Sequence, residues 1–420
     1  MNFWLLQTGE PLPLVPSVRK MRTGLLAEML LSLGHQVRWW VSAFEHQRKF
    51  MQFVKDQEVI VGNGLIFQVL KGCGYTRNIS LSRYFDHRIV ARKFRILSRR
   101  FERPDGIVAS LPCHHLAYEA VRYAKKKNVP IIVDVRDLWP DTFIDFLPGK
   151  AAKTIGKIML WQDFLRVKDL LSKCDAISAM SNSVLNWALQ KAGRPTSVWD
   201  RVFYMGYKKA EGNSSKPLAW LKGREAQKLA VYIGTFGNSY ELSLILQAAR
   251  ILQEEGNDAI CFVLAGTGDH EETLRKEACG LSNIIFPGWI DSEEIRKLLQ
   301  RAWVGLVPCR SVTGAMPNKV FEYLSAGLPV ISSLEGEMAE SIQKFALGFN
   351  YRAGDLQGFI GIIKKLINNP GQRVELVQNA VSYFNENGNA DQIYLKFAEH
   401  VENIVAHHKR GAHRGYLHSN

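Results

Sequence analysis

Strand-like and helix-like segments alternate along almost the whole of this chain, and this alternation restricts its fold more than any other feature. In the first half, NFWLLQ precedes a helical stretch over residues 19–33, and HQVRWWVS follows as the next strand. In the second half, ICFVLAGTG, NIIFPGWI, AWVGLVPC and LPVISS are strand signals that each lie close to a helix. Such alternation is typical of parallel sheets wrapped by helices. We therefore expect an α/β protein built from doubly wound, Rossmann-like domains.

A polar segment at residues 208–228 divides this pattern into two halves. It contains Gly, Ser and Pro and is typical of an interdomain linker. A chain of 420 residues also suits two domains better than one. We predict Rossmann-like domains at residues 1–207 and 229–390, and a C-terminal helix with a basic tail at 391–420. Because open parallel sheets bind ligands at the carboxyl ends of their strands, we expect the domains to face each other across a cleft.

The composition excludes several classes of protein. Hydrophobic residues make up 46% of the chain and charged residues 22%, so a disordered or fibrous protein is not expected. The six cysteines form no CxxC pair, which indicates reduced thiols in a cytoplasmic protein and argues against a disulfide framework or a zinc site. The sequence contains no uncharged apolar run of roughly 18 to 20 residues, so we expect a soluble or peripheral protein.

The net charge of +14 is densest at residues 83–103, RYFDHRIVARKFRILSRRFER. Apolar residues fall loosely at helical spacing among the basic ones, which is compatible with a helix lying on an anionic membrane surface. The alternative is a solvated basic helix whose apolar side packs on its own domain. Nucleic acid is not predicted as a partner, because no recognised nucleic-acid-binding motif is present. The basic residues assigned to the membrane patch are Arg88, Arg92, Lys93 and Arg99.

The segment PNKVFEYLSAGLPVISS carries the strongest candidate site. Pro317 stands where a helix prefers to begin, so the N–H groups of Asn318, Lys319 and Val320 are expected at the helix N-terminus, where they can stabilise a diphosphate. Lys319 adds a positive charge there. Glu322 follows one turn later and is placed to accept hydrogen bonds from ribose hydroxyls. The alternative is an ordinary amphipathic helix with an exposed glutamate.

Glycine turns after three further strands support the first interpretation. GTFGN, AGTG and PGWI each follow an apolar run, and a glycine turn after a strand lets the backbone approach a phosphate. PGWI also offers an aromatic ring and backbone amides to a nucleobase. The candidate nucleotide-binding residues in these turns are Gly234, Thr235, Gly237, Gly266, Trp289 and Ile290.

These motifs, in this order, resemble the retaining glycosyltransferases of family 4, which have the GT-B architecture. The resemblance extends into the first half through RTGLLAEMLLSLGHQVRWWVS, VDVRDLWPD, ISAMSNSV and FYMGYKK. VDVRDLWPD and PNKVFEYL resemble members that build bacterial surface polysaccharide such as O-antigen, capsule or exopolysaccharide. The resemblance implies transfer of a sugar, with retention, from a nucleotide diphosphate donor to a lipid-linked or saccharide acceptor, with a UDP-sugar favoured and no cofactor.

The sequence departs from the family at two places. Glu322 matches the second glutamate of a paired motif, but Gly314 stands where the first glutamate is expected. Thr235 and Tyr240 occupy the positions of an arginine and a lysine that contact the diphosphate in the family. Lys319 and Arg310 are the nearest candidates to replace the lost positive charge, so we assign Lys319 a catalytic role as well.

The resemblance places the acceptor in the first domain. Glu10 and Arg19 lie in the loop after the first strand, where they could contact the reacting sugar or its phosphate or belong to a structural surface loop. Arg136 and Asp137 follow a strand, and His114 follows another. We assign catalytic roles to Asp137 and Glu10 and acceptor contacts to Arg19, His114 and Arg136. Alternatively, Arg136 and Asp137 pair with each other or cap the next helix, and His114 is structural.

Neither a metal nor another cofactor is predicted, because no DxD-like pair follows a strand. We expect a cytoplasmic enzyme, peripheral at the inner face of the plasma membrane. Two other functions remain open: a non-hydrolysing epimerase of UDP-amino sugars, which shares the two-domain fold, and a catalytically degenerate member that binds nucleotide as a scaffold.

Overall fold

The structure is a computed structural model that describes residues 1–15, 18, 20–62, 64–78, 80–145, 147–209, 217–310 and 317–417. The chain divides into a first unit, Met1–Phe203 with Asp391–Asn420, and a second unit, Tyr204–Ala390. The C-terminal segment, which is predicted from the sequence as a helix with a basic tail, groups with the first unit. The predicted linker belongs to the second unit, and its residues 210–216 lie outside the described residues.

The first unit is built on a mainly parallel sheet. Its strands are β1 (Asn2–Leu6), β2 (Gln36–Ser42), β3 (Phe44–Glu45), β4 (Phe50–Met51), β5 (Gln57–Gly62), β6 (Leu65–Leu70), β7 (Gly106–Leu111), β8 (Ile131–Val135), β9 (Ala176–Ala179) and β10 (Arg201–Val202). Eight of these described strands form one sheet in the order β10-β9-β8-β7-β1-β2-β6-β5. Only β5 runs antiparallel within that sheet, and β3 pairs with β4 in a separate ribbon.

Helices cover this sheet. They are α1 (Arg22–Ser32), α2 (Leu81–Leu97), α3 (His114–Lys127), α4 (Asp141–Asp145), α5 (Gly149–Met159), α6 (Trp161–Lys173) and α7 (Asn182–Ala192). The long C-terminal helix, Ala390–Leu417, also packs on this unit: Phe397 stacks on Phe203 at 4.4 Å, and His400 bonds the carbonyl of Trp199 at 2.9 Å. Because helices cover both faces, the central strands are largely apolar, as in FWLL of β1 and IIVDV of β8, where Asp134 is the charged exception.

The second unit is a six-stranded sheet within the described residues. Its strands are β11 (Lys228–Ile233), β12 (Ile260–Ala265), β13 (Ile284–Gly288), β14 (Val304–Val307), β15 (Val330–Ser332) and β16 (Gly348–Asn350). All pairs are parallel, in the order β13-β12-β11-β14-β15-β16. The chain enters the sheet at the central strand β11 and continues through β12 to β13 at one edge. It then returns to β14, beside β11, and continues through β15 to β16 at the other edge. The order therefore reverses between β11 and β14, and such switch points open a crevice at the carboxyl ends of the strands.

The helices of this unit lie on both faces of its sheet. They are α8 (Leu242–Glu254), α9 (Glu271–Glu277), α10 (Ser292–Arg301), α11 (Asn318–Ser325), α12 (Glu337–Lys344), α13 (Leu356–Asn368) and α14 (Pro370–Tyr383), and the C-terminal helix is then α15. Alternate residues of β11 enter opposite cores: Val231 packs with α11, whereas Tyr232 packs with α8 and α13. This period of two is what a strand buried on both faces requires.

The predicted α/β fold with two doubly wound, Rossmann-like units is confirmed. The helix predicted at 19–33 is observed as Arg22–Ser32. None of the described helices combines the length and the low polarity that a membrane crossing demands.

Candidate functional site

The candidate nucleotide site lies at the switch point of the second unit. The GTFGN turn follows β11, the AGTG turn follows β12, and α11 begins after β14. The structure therefore brings three of the predicted motifs to one edge of the sheet. They meet there because neighbouring parallel strands all end at the same side.

Two glycines allow these loops to pack closely. Gly234 has φ +150° and Gly266 has φ +140°, both in the region that favours glycine. A Cβ on Gly266 would lie 1.9 Å from the carbonyl oxygen of Gly234, and a Cβ on Gly234 would lie 2.9 Å from Nζ of Lys319. Gly237 differs, because an added Cβ there meets only Thr235 Cγ2 at 4.0 Å. Glycine is thus required by a backbone clash at Gly266, whereas at Gly234 the positive φ favours it.

Lys319 lies in the first turn of α11, and its ammonium group sits between two tyrosine rings. Nζ is 3.7 Å from the ring centroid of Tyr240 and 4.0 Å from that of Tyr232. The nitrogen is buried and has no hydrogen-bond partner within the described part of the chain. Burial lowers the pKa of Lys319 to about 7, although Cys309 and Glu322 act to raise it. The two rings, here called the tyrosine pair, stabilise the cation through their π faces.

The tyrosine pair is held by its own contacts. Tyr232 donates from its hydroxyl to the carbonyl of Thr235 at 2.8 Å, and Tyr240 forms a backbone bridge with Cys309. Tyr240 was noted in the sequence only as the replacement of a family lysine, and Tyr232 was not singled out. The sequence signal for the tyrosine pair is that one tyrosine lies on either side of the GTFGN turn.

The N-terminus of α11 differs in one detail from the prediction. The N–H of Val320 donates to the carbonyl of Pro317 at 3.0 Å, so Val320 does not offer its N–H to a ligand, contrary to the prediction. Helix geometry leaves the N–H groups of Asn318 and Lys319 without acceptors inside α11. The side-chain oxygen of Asn318 is a second buried polar atom that has no partner among the described residues. Buried polar atoms normally have hydrogen-bond partners. Two that lack them at one helix N-terminus therefore indicate a binding site for a polar ligand.

The other residues predicted to bind the nucleotide differ in their exposure to solvent. Glu322 is half-buried one turn after Lys319, and Thr235 and Arg310 are exposed. Trp289, directly after β13, is 75% exposed, whereas Ile290 is buried in the core and can offer a ligand only its backbone. Asp291 caps α10 through a capping box and so fixes the turn that carries Trp289. Gly314 lies outside the described residues.

In the first unit, Glu10 and Arg136 belong to a buried ionic network. Glu10 accepts hydrogen bonds from the backbone N–H of Thr23 at 2.9 Å and from its hydroxyl at 2.8 Å, at the start of α1. Arg136 donates to Glu10 and, at 2.7 Å, to Asp134. Arg22 pairs with Asp134 at 2.8 Å and donates to the carbonyl of Phe203. Glu10 is therefore engaged in a helix cap and an ion pair, which suits a positioning role. Arg19 lies outside the described residues.

Asp137 and His114 line a different feature, a cavity of about 810 Å³ within the first unit. Asp137 accepts a hydrogen bond from the hydroxyl of Thr142 at 2.7 Å, so it pairs with Thr142 and not with Arg136. His114 bonds Asp163 at 3.1 Å and stacks on Trp139 at 5.5 Å. The two strand-end residues that the sequence singled out, on β8 and β7, thus reach the same space.

One group in the described chain has the composition of a metal site. Candidate ligand atoms of His114, His115 and Asp163 all lie within 4.8 Å of one another. However, Arg166 already donates to Asp163 at 2.8 Å and neutralises the carboxylate that would attract a cation. Burial, followed by the nearby His114, lowers the pKa of His115 to about 2, which favours the neutral imidazole that a metal would require, so the objection to a metal here rests on Arg166. The expectation of metal-independent chemistry stays a prediction.

The basic segment forms α2 and a short 3-10 turn, Ser98–Arg100. Val90 and Phe94 enter the core, whereas Phe85, Ile89 and Ile96 are exposed. Arg88, Arg92 and Arg99 are exposed, and Lys93 pairs with Asp56 at 2.7 Å. The helix therefore packs on its own unit with one face and presents a mixed apolar and basic face outwards. The packing of one face on its own unit agrees with the second interpretation, and contact with a membrane surface stays a prediction.

Part of this chain is similar in sequence to known proteins. Residues 221–382 match the family model of the glycosyl transferases group 1. The amylovoran biosynthesis glycosyltransferase AmsK of Erwinia amylovora is 28% identical over 175 residues, which span 39% of this chain and 42% of that relative. The match thus spans less than half the length of this curated relative.

Solved structures extend the likeness to both units. Anabaena Alr3699/HepE in complex with UDP covers 96% of this chain and 99% of its own, with a TM-score of 0.66 and 13% identity. WaaG, a glycosyltransferase involved in lipopolysaccharide biosynthesis, covers 96% of this chain and 99% of its own, with a TM-score of 0.62 and 13% identity. The sucrose-phosphate synthase of Thermosynechococcus elongatus reaches a TM-score of 0.69 at 14% identity over 96% of this chain and 99% of its own. The predicted GT-B fold is thereby confirmed.

Proposed function

We propose that this protein is a glycosyltransferase that transfers a sugar from a nucleotide diphosphate donor to a lipid-linked or saccharide acceptor, with retention, in the synthesis of a bacterial surface polysaccharide. The observation that carries the proposal is the buried ammonium of Lys319, which has no hydrogen-bond partner in the described chain and lies at the N-terminus of α11 beside the switch point. The family match of residues 221–382 and the name of the relative AmsK support the same class of reaction.

The donor is proposed to bind through its diphosphate at the start of α11. The N–H groups of Asn318 and Lys319 and the Lys319 ammonium offer donors to phosphate oxygens, and Glu322 accepts from the ribose hydroxyls. Trp289 is proposed as the surface against which the base stacks. A uridine nucleotide is favoured because the similar structure of HepE holds UDP.

The chemistry asked of Lys319 is stabilisation of the leaving group. In the transfer, the bond between the anomeric carbon and the β-phosphate oxygen breaks, and its electron pair stays on the phosphate. The acceptor oxygen forms the new bond on the same face of the sugar, and its proton passes to the departing phosphate. A fixed cation that is shielded from water stabilises this developing charge more than an exposed one does.

The first unit is proposed to contact the acceptor. Asp137 provides a carboxylate at the end of β8, and His114 lies at the end of β7 on the same cavity. Glu10 and Arg136 are proposed to fix the geometry of the strand ends through their ionic network. The exposed basic and apolar face of α2 favours a peripheral location at the inner face of the membrane.

The test is release of nucleotide diphosphate from a set of UDP- and GDP-sugars, with a bacterial lipid extract as the source of acceptor. We expect release that depends on the extract and that continues in the presence of a metal chelator. Isomerisation of the sugar nucleotide without acceptor would indicate the epimerase instead. Binding of the nucleotide without release in any combination would indicate a scaffold and contradict the proposal.

A further inference from the structure

The cavity in the first unit has walls of two kinds. Polar groups come from the start of α2 and from the ends of β7 and β8, among them Arg83, His114 and Asp137. Apolar side chains come from α4, α5 and the turns beside them, among them Leu147, Ile155 and Met159. The cavity therefore reaches from the carboxyl edge of the sheet, where ligands of such folds bind, to α5. Its volume of about 810 Å³ lies in the range of small-molecule sites.

The apolar wall is also an exposed surface. Three lining side chains stay largely open to solvent: Leu81 at 72%, Ile155 at 58% and Met159 at 71%. Ile158 and Trp161, next to them in the chain, are exposed as well. A cluster of large apolar side chains around the mouth of a cavity marks a contact with lipid or protein.

The charge of this surface favours an anionic lipid. Lys150, Lys153 and Lys157 recur on α5 at spacings of three and four residues, and α5 contains no acidic residue. The single acidic residue of α2, Asp86, is buried, whereas Arg88 is exposed. A helix with a lysine stripe beside exposed isoleucine and methionine is typical of one that lies in a membrane interface.

We propose that the cavity holds the hydrocarbon chain of a lipid diphosphate, with the chain against the apolar side chains of α4 and α5 and the diphosphate beside Arg83. Burial, then the nearby Arg83, lowers the pKa of His87 to about 3, so Arg83 rather than His87 supplies the positive charge that α2 presents to the cavity. Gly156 allows the close approach of α5 to α4, because a Cβ there would lie 2.9 Å from Cδ1 of Ile144. The inference rests on the proposed function, since it gives the acceptor of that transfer a lipid chain and a place for it.

The test measures binding of farnesyl diphosphate to the full chain by tryptophan fluorescence, with inorganic diphosphate and farnesol as reference probes. Ile155→Glu puts a charge into the cavity wall, and Ile158→Glu puts the same charge on the same exposed helix outside the lining. We expect Ile155→Glu to weaken farnesyl diphosphate binding by at least about tenfold, because the hydrocarbon chain would cover an unpaired carboxylate. Ile158→Glu should bind it within about twofold of the wild type, since a charge exposed to water carries little cost. Arg83→Gln should weaken binding of farnesyl diphosphate but not of farnesol.

Equal effects of the two glutamate variants, or equal binding of inorganic and farnesyl diphosphate, would overturn the inference. Far-UV circular dichroism and thermal unfolding of the same samples report whether each variant is folded, and UDP binding reports the second unit. Wild-type protein that binds UDP but not farnesyl diphosphate refutes the lipid site and leaves the proposed function standing. Protein that binds farnesyl diphosphate but no nucleotide diphosphate refutes the proposed function instead.

Discussion

The ammonium nitrogen of Lys319 lies 3.7 Å from the ring centroid of Tyr240, and burial lowers its pKa to about 7. The family resemblance implies a lysine at position 240, and in this chain the aromatic ring of Tyr240 stands there instead. The ring stabilises the one charge that remains, and a phosphate would supply the hydrogen-bond acceptor that Lys319 lacks within the described chain. The pairing of Lys319 with Tyr240 therefore predicts how activity depends on pH and how substitution of either residue changes that dependence.

The first prediction concerns pH. Lys319 is charged below its pKa and neutral above it, so kcat/KM for the donor should fall as the pH rises through about 7. For a single group of this pKa, the fall between pH 7 and pH 8 is about fivefold. Initial rates with a UDP-sugar from pH 6 to pH 8.5 measure it. Lys319→Met, which cannot titrate, should show low activity without this decline, and a decline that persists in Lys319→Met would assign it to another group.

The second prediction separates the ring of Tyr240 from its hydroxyl. Tyr240→Phe keeps the aromatic face and should leave the midpoint of the pH profile in place. Tyr240→Leu removes the face that stabilises the cation, so the pKa of Lys319 should fall and the midpoint should move to lower pH. Matching profiles for the two variants would show that the ring does not support the charge.

The third prediction concerns the buried network of the first unit. Burial alone would raise the pKa of Asp134, but Arg22 and Arg136 outweigh it and hold the pKa below its usual value. Asp134→Asn leaves the Arg22 guanidinium buried without its counter-charge and should lower the free energy of unfolding by about 3–5 kcal/mol. The exposed pair of Asp169 with Lys173 is the control, because Asp169→Asn should cost no more than about 1 kcal/mol.

Urea denaturation at neutral pH measures both variants. Because the pKa of Asp134 is depressed in the folded state, its contribution is complete above the unfolded value of 3.8 and is lost as the pH falls below it. Similar losses for Asp134→Asn and Asp169→Asn at neutral pH would contradict the assignment of the network as a stabilising element.

The fourth prediction compares two glycines of the second unit. Gly266→Ala introduces a Cβ 1.9 Å from the Gly234 carbonyl at φ +140°, so it should destabilise the protein by more than about 1 kcal/mol and abolish nucleotide binding. Gly361, inside α13, has open space around an added Cβ, and Gly361→Ala should stabilise the protein by up to about 1 kcal/mol. Thermal unfolding and UDP titration measure the pair. Normal UDP affinity in a folded Gly266→Ala protein would show that the two loops need not pack this closely.

The sequence predicted the parts of the molecule that depend on local pattern. Alternating apolar runs and helices were sufficient for two doubly wound units, and Pro317 marked the start of α11. The close contact of Gly266 with Gly234 was not predictable, because it depends on the pairing of β11 with β12. The tyrosine pair was missed for a similar reason: Tyr232 reaches Lys319 only after the sheet order places β11 beside β14.

The contacts that a side chain makes were harder to predict than its place in the fold. Glu10 follows the first strand, as a catalytic carboxylate would, yet it caps α1 through Thr23 and pairs with Arg136. The exposed apolar face of α5 escaped notice because three lysines interrupt it in the sequence, and only the folded helix separates them onto one side. In both cases the outcome depends on neighbours distant in the chain.

The most direct test of the account is the effect of Lys319→Met on turnover and on donor affinity. Lys276→Met is the control, because Lys276 is exposed and pairs with the neighbouring Glu272 on α9. If Lys319 stabilises the leaving diphosphate, kcat should fall by about 10²–10³-fold while the donor Kd weakens only a few-fold, and the control should keep both values. A loss of donor affinity with kcat unchanged would contradict the central claim, since Lys319 would then serve binding alone.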